Sequence, residues 1–239
     1  MINGLLAANS NTHDAFVHLI DGSTDLVINV RGPSESERKL AADKGVRIEV
    51  TPIAKDAVVF IVNKNNPVQS LTADQIRGIY RHEIKRWPHL GWETTEELTP
   101  YVRERDSGSR ELFDRHVMKA PPTPDADATH ERDRPRRLYS YSMAGPFNQV
   151  STDDGGIGYS VWYYAHFMAL SPYARTLAVD GVEPTAETIT SGAYPFVVPV
   201  VAACRADAPA DGAARKMLDW LLSDEGQAIV RESGYVTAR

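Results

Sequence analysis

Val58-Val59-Phe60-Ile61-Val62 is an apolar run with no polar residue at alternate positions. A strand with one wet face alternates apolar and polar residues, so this run predicts a central strand covered on both faces. Covering both faces takes further layers, and helical patterns lie on either side of the run. Asn11-Thr12, followed by Ala15, Phe16, Leu19 and Ile20 at helical spacing, predicts a short amphipathic helix with a polar start that ends near Gly22. Asp25-Leu26-Val27-Ile28-Asn29-Val30 reads as a strand. Ser34-Glu35-Ser36-Glu37 has the capping-box pattern for a helix closing at Gly45.

Val46 to Val50 is expected as a separate strand, and the central one spans Ala57 to Val62. Leu71-Thr72-Ala73-Asp74-Gln75-Ile76 starts another helix, with Thr72 and Gln75 as its capping box and Leu71 stapled to Ile76. Gly155-Gly156-Ile157-Gly158-Tyr159 is a turn into a strand, Val197 to Cys204 a buried strand, and Ala213 to Leu222 an amphipathic helix. Strands and helices alternate, which predicts an α/β fold. From Lys119 to Arg137 a proline-rich and then mixed-charge tract lacks apolar periodicity and is expected to be an exposed loop.

A chain of 239 residues accommodates one large domain or two smaller ones. With 42% hydrophobic and 24% charged residues, it has the composition of a folded soluble protein. A net charge of -6 offers no attraction to a nucleic-acid backbone, and it makes any anion site a local cluster of donors. Cys204, the single cysteine, excludes an intrachain disulfide and a cysteine metal cluster, and reads as a small core residue. Met1 to Ala8 has neither a basic region nor a long apolar stretch, so it resembles neither a secretion signal nor a membrane span.

The segment that carries chemistry is Tyr101-Val102-Arg103-Glu104-Arg105-Asp106-Ser107-Gly108-Ser109-Arg110-Glu111-Leu112-Phe113. A short strand runs into Ser-Gly-Ser, and helical periodicity follows through Leu112, Phe113, His116 and Val117. Backbone N–H groups at a helix start have no intrahelical partner and lie at the positive end of the helix dipole, which suits an anion. Gly108 allows close approach, Ser107 and Ser109 add hydroxyl donors, and Arg103 adds a guanidinium fork. The competing reading makes Ser107 an ordinary N-cap and Arg103 an exposed strand residue.

Longer stretches carry a resemblance. Ala54-Lys55-Asp56-Ala57, Val62-Asn63-Lys64-Asn65-Asn66-Pro67-Val68, Leu71 to Ile76 and Ile79-Tyr80 are followed by Ile84-Lys85-Arg86-Trp87, then by Arg103, three intervening residues and Ser107-Gly108-Ser109. Gly155 to Ser160, Val179-Asp180-Gly181-Val182-Glu183-Pro184, Gly192 to Phe196, Leu222 to Gln227 and Gly234-Tyr235-Val236 continue in the same order. The chain resembles the phosphate-type solute-binding proteins of ABC transporters, in the type II periplasmic-binding-protein superfamily.

The resemblance implies two α/β lobes, residues 1–63 with 194–239 and residues 64–193, closing by a hinge on a small oxyanion in the cleft. It implies ligand contacts at Arg103, Ser107, Gly108 and Ser109, a second contact loop at Ser10, Asn11 and Thr12, and a further contact at Arg31. Phosphate is told from sulfate by an acceptor carboxylate, since the protonated phosphate has a hydrogen to donate. Arg31 falls where the family often has Asp or Arg, so Asp25 and Asp106 are the candidate acceptors, and phosphate or a similar oxyanion is the expected ligand. Family members open with a strand and an anion-gripping loop that this chain begins after. The resemblance further implies an ABC permease as partner, an extracytoplasmic location, no cofactor and no catalysis. A sensor of the same fold that recognises another anion is the alternative reading.

Two other patterns are weighed against this. Ser36-Glu37-Arg38-Lys39 formally spells a Ser-x-x-Lys nucleophile motif, but it sits in a charged, solvent-facing helix without partner motifs. Asp153-Asp154 with His82, His89 and His116 lack metal-ligand spacing and read as solvated turns and surface histidines.

Overall fold

Gly22 and Gly45, with φ of 83° and 68°, close the first two helices in the left-handed conformation that glycine adopts without a Cβ clash. The computed structural model describes residues 12–104, 107–119, 138–140, 142–169 and 171–238. In chain order the first elements are α1 (Thr12–Asp21), β1 (Leu26–Asn29), α2 (Glu35–Asp43) and β2 (Ile48–Asn63). Ser34 caps α2 by accepting the Glu37 amide while the Glu37 carboxylate accepts the Ser34 amide, the reciprocal pair expected. β2 differs from expectation, because the two strands anticipated on either side of Pro52 form one element of 16 residues. Pro52 removes one donor, but it lies exposed, where a strand tolerates that loss.

The chain continues through β3 (Ser70–Leu71), α3 (Ala73–Tyr80), β4 (Thr99–Arg103), α4 (Gly108–Leu112), β5 (Leu138–Ser140), α5 (Gly145–Ser151) and β6 (Gly156–Val161). It then forms β7 (Ala174–Thr176), β8 (Ala178–Val179), α6 (Ala186–Ser191), β9 (Val197–Arg205), α7 (Ala213–Leu222), α8 (Asp224–Glu232) and β10 (Val236–Thr237). Thr72 and Gln75 form the expected capping box of α3, and α7 covers the expected residues. Residues 120–137 of the anticipated loop lie outside the described residues. Among the described residues no helix is long and apolar enough to cross a membrane.

The chain divides into two compact units, one holding the residues up to Asp56 with those from Val198 on, the other Ala57–Val197. It leaves the first unit inside β2 and returns inside β9. In the first unit β1 runs antiparallel to β9, from Leu26 opposite Cys204 to Asn29 opposite Val201, and β10 pairs with β2 at Lys55 and Ala54. Alternate β9 residues enter different clusters. Ala203 packs with Phe16, Leu19 and Val27, while Ala202 and Cys204 pack with Ile53, Leu218, Leu221 and Val230. Both faces are therefore covered, which is why this strand reads as a continuous apolar run.

In the second unit β2 runs antiparallel to β6 and β7, with Phe60 opposite Tyr159 and Ile61 opposite Thr176. β4 is parallel to both β6 and β5. The Val58 to Val62 run is at most 1% exposed, as a strand covered on both faces must be. Beside it, Phe113 stacks on Tyr159 at 4.2 Å between centroids, and Tyr80 meets Phe113 edge-on at 4.6 Å. This aromatic cluster lies under the carboxyl end of β4.

Candidate functional site

In open α/β sheets the carboxyl ends of parallel strands are where backbone and loops converge on ligands. β4 ends at Arg103, which is in register with Ser140 of β5. The Arg103 amide donates to the Tyr159 hydroxyl at 3.0 Å, and its carbonyl accepts from Arg110 Nη1 at 3.2 Å. Arg110 is itself held by Asp114, Nε to Oδ2 at 2.8 Å. Burial pushes the Tyr159 phenol well above its ordinary value, so the ring is a fixed neutral partner.

Arg103 is 5% exposed. Its Nε donates to the Ser140 carbonyl at 3.1 Å, and Nη1 lies 3.0 Å from Met143 Sδ and 3.5 Å from Ser109 Oγ. Ser107 and Ser109, both buried, bring their hydroxyls within 2.9 Å of each other. Ser107 stands at the N-cap of α4 without a side-chain capping bond, which removes the ordinary-cap reading. Its backbone carbonyl instead starts the helix, accepting the amides of Arg110 and Glu111. The helical path continues past α4 as a wider turn, Phe113–Met118, and stops at Lys119, φ 51°.

Three arginines at 5% exposure allow a direct comparison. Arg31 has two nitrogens on Glu37 at 2.8 and 2.9 Å, and Arg110 has Asp114 at 2.8 Å. For Arg103, the carboxylate nearest among the described residues is the partly exposed Glu104, 3.7 Å from Nη2. Burial lowers the Arg103 pKa from its ordinary value, against the opposing pull of Glu104, Tyr159 and Tyr164. Buried charges are normally paired at close range, and among the described residues the Arg103 guanidinium has a longer and more exposed carboxylate partner than Arg31 or Arg110, beside two hydroxyls and a helix start.

The structure thus brings Arg103, Ser107, Gly108 and Ser109 together. Thr12 is the first residue of α1, in the other unit, and Ser10, Asn11 and Asp106 lie outside the described residues. Arg31, expected as an anion contact, directs both Nη atoms to Glu37, stacks over the Phe16 ring at 5.6 Å and also bonds the Gly32 carbonyl. Glu37 belongs to the segment read as solvent-facing, yet it is fully buried. Asp153 bonds the Tyr101 hydroxyl at 2.7 Å and the Gly155 amide, and Asp154 meets Asn65, so both serve the fold. Sequence reasoning gave no site role to Ser140, Met143, Tyr159 or Arg110. Arg110 and Tyr159 fall within stretches it singled out, but what brings all four to Arg103 is the fold.

The chain is 28% identical over 200 residues to a phosphate-binding protein, PstS, of Staphylococcus saprophyticus, covering 81% of this chain and 59% of the relative. It is 26% identical over 243 residues to the Staphylococcus epidermidis PstS, covering 97% of this chain and 69% of that one. Among solved structures, a substrate-binding protein of Clostridium perfringens assigned to a phosphate ABC transporter, with bound phosphate, superposes with a TM-score of 0.74 at 24% identity, covering 96% of this chain and 85% of that one. An ABC-type phosphate transport receptor of Vibrio cholerae gives 0.70 at 20% identity, covering 95% and 85%. These structures share the mixed α/β fold, as the alternating elements predict. Residues 8–225 match the family described as the PBP superfamily domain, and the chain is a member of that family.

Proposed function

We propose that this chain binds a small oxyanion, phosphate foremost, at Arg103, Ser107, Gly108 and Ser109, as the solute-binding component of an ABC-type uptake system. The observation that carries the reading is the buried Arg103 guanidinium, which donates to a carbonyl, a thioether and a hydroxyl while its nearest carboxylate among the described residues, the partly exposed Glu104, stands 3.7 Å away. A tetrahedral oxyanion supplies negative charge at closer range than Glu104 does. It accepts from the guanidinium and from both serine hydroxyls, while Gly108 lets its oxygens approach the first helical turn. Nothing in this chemistry makes or breaks a covalent bond, so the protein binds and releases. The relatives named for phosphate binding support phosphate over other anions, and the same kinship supports an extracytoplasmic location and a membrane permease as partner.

Calorimetric titration with phosphate, sulfate and arsenate at low salt tests the site. Arg103→Ala is expected to weaken phosphate binding by about a hundredfold or more, and Ser107→Ala by roughly tenfold, the scale of one hydrogen bond to a charged group. Binding that is unchanged in both variants overturns the assignment.

A further inference from the structure

Met143 Sδ, 3.0 Å from Arg103 Nη1, is the nearer of that nitrogen's two hydrogen-bond acceptors among the described residues. The residue is partly exposed, and it sits in the turn between β5 and α5, where the Gly145 amide donates to the Ser142 carbonyl at 3.0 Å. The turn is pressed onto the end of β5, since a Cβ added at Gly145 would lie 2.7 Å from the Ser140 Cβ. Ser140 is also the residue whose carbonyl accepts Arg103 Nε, so the same strand end fixes both the guanidinium and the sulfur beside it.

A thioether is a weak acceptor. It shields the guanidinium from water without neutralising it, and an oxyanion displaces it at little cost. A sulfoxide is different, because its oxygen is polar and a strong acceptor.

Resting on the anion-binding reading above, we propose that Met143 is a modification site of the anion centre. A peroxide-class oxidant converts its thioether to a sulfoxide whose oxygen takes Arg103 Nη1 and weakens anion binding. In the step, a sulfur lone pair attacks one oxygen of hydrogen peroxide, the S–O bond forms as the O–O bond breaks, and the other oxygen leaves as water. Sulfur is oxidised by two electrons and the peroxide is reduced by two. The new oxygen lies where an anion oxygen would meet Nη1, so it competes for the donor and repels the ligand. Reduction back to the thioether reverses the effect.

The test is calorimetry with inorganic phosphate before and after dilute hydrogen peroxide, with mass spectrometry following the sulfoxide at each methionine. Met143→Leu is treated in parallel, so oxidation at Met1, Met118, Met168 and Met217 is common to both proteins. The wild type is expected to lose at least about tenfold in affinity on oxidation, and Met143→Leu to show the same affinity before and after. During repair by a methionine sulfoxide reductase, recovered affinity is expected to track the thioether fraction at Met143. Unchanged affinity with Met143 oxidised, an equal loss in Met143→Leu, or recovery that tracks another methionine overturns the proposal. Absence of phosphate binding by the untreated wild type overturns the anion-binding reading itself, and is seen before oxidant is added.

Discussion

Arg31 and Arg103 are equally buried, and their carboxylate partners differ, Glu37 at 2.8 Å for Arg31 and Glu104 at 3.7 Å for Arg103. Glu37 accepts from Arg31 twice, from the Ser34 amide at 2.8 Å and from His13 Nδ1 at 3.1 Å. Burial pushes the Glu37 carboxyl up, but Arg31, Ser34 and His13 together bring it below its ordinary value. A carboxyl with a depressed folded-state pKa contributes stability that is fully present above its unfolded value, about 4.3, and is lost as pH falls through the folded one. Glu37→Gln is therefore expected to cost about 3 to 5 kcal/mol near neutrality, where it strands a buried guanidinium. The gap to the wild type should narrow as the pH drops below about 4. Urea denaturation across pH checks this, and a gap independent of pH would count against the ion pair. Arg103 was legible because a motif starting four residues on names its chemistry. The partner of Arg31 was not, because Glu37 already satisfies a capping-box pattern and nothing local reveals that the same carboxylate turns inward.

Helix starts separate hydroxyls that cap from the Ser107 hydroxyl, which is proposed above to meet the anion. Ser34, Thr72 and Thr185 each accept the amide three residues on, and in each the third residue bonds back. Ser107 does neither and faces Ser109. Thr72→Ala is accordingly expected to lower stability by about 1 kcal/mol with phosphate affinity intact. Ser107→Ala should do the converse, with a stability change under about 1 kcal/mol and a clear loss of binding. Chemical denaturation beside calorimetry distinguishes them, and a cap-sized stability loss in Ser107→Ala without a binding change would reverse the assignment. Two of the three boxes were readable as spaced Ser/Thr and Glu/Gln. Thr185 escaped because its return partner is Thr188. The length of β2 escaped because Pro52 reads as a break, although the strand has room to leave that position unpaired.

Across the whole chain, the net charge of -6 means that an arriving anion is drawn by no long-range field. Stopped-flow tryptophan fluorescence should show an association rate for phosphate that stays flat or rises modestly, by less than about threefold, between about 10 mM and 150 mM salt. A steep fall would reveal a steering field that the composition does not predict. Both passages between the two compact units run through strands, within β2 at Asp56 and Ala57 and within β9 at Val197 and Val198. Dividing the gene at those points would sever hydrogen-bonded ladders and leave raw sheet edges on each fragment, inviting pairing with foreign chains. A split reporter made from this protein would therefore have to be nicked elsewhere, at a surface turn such as Asp180-Gly181, leaving both long strands whole.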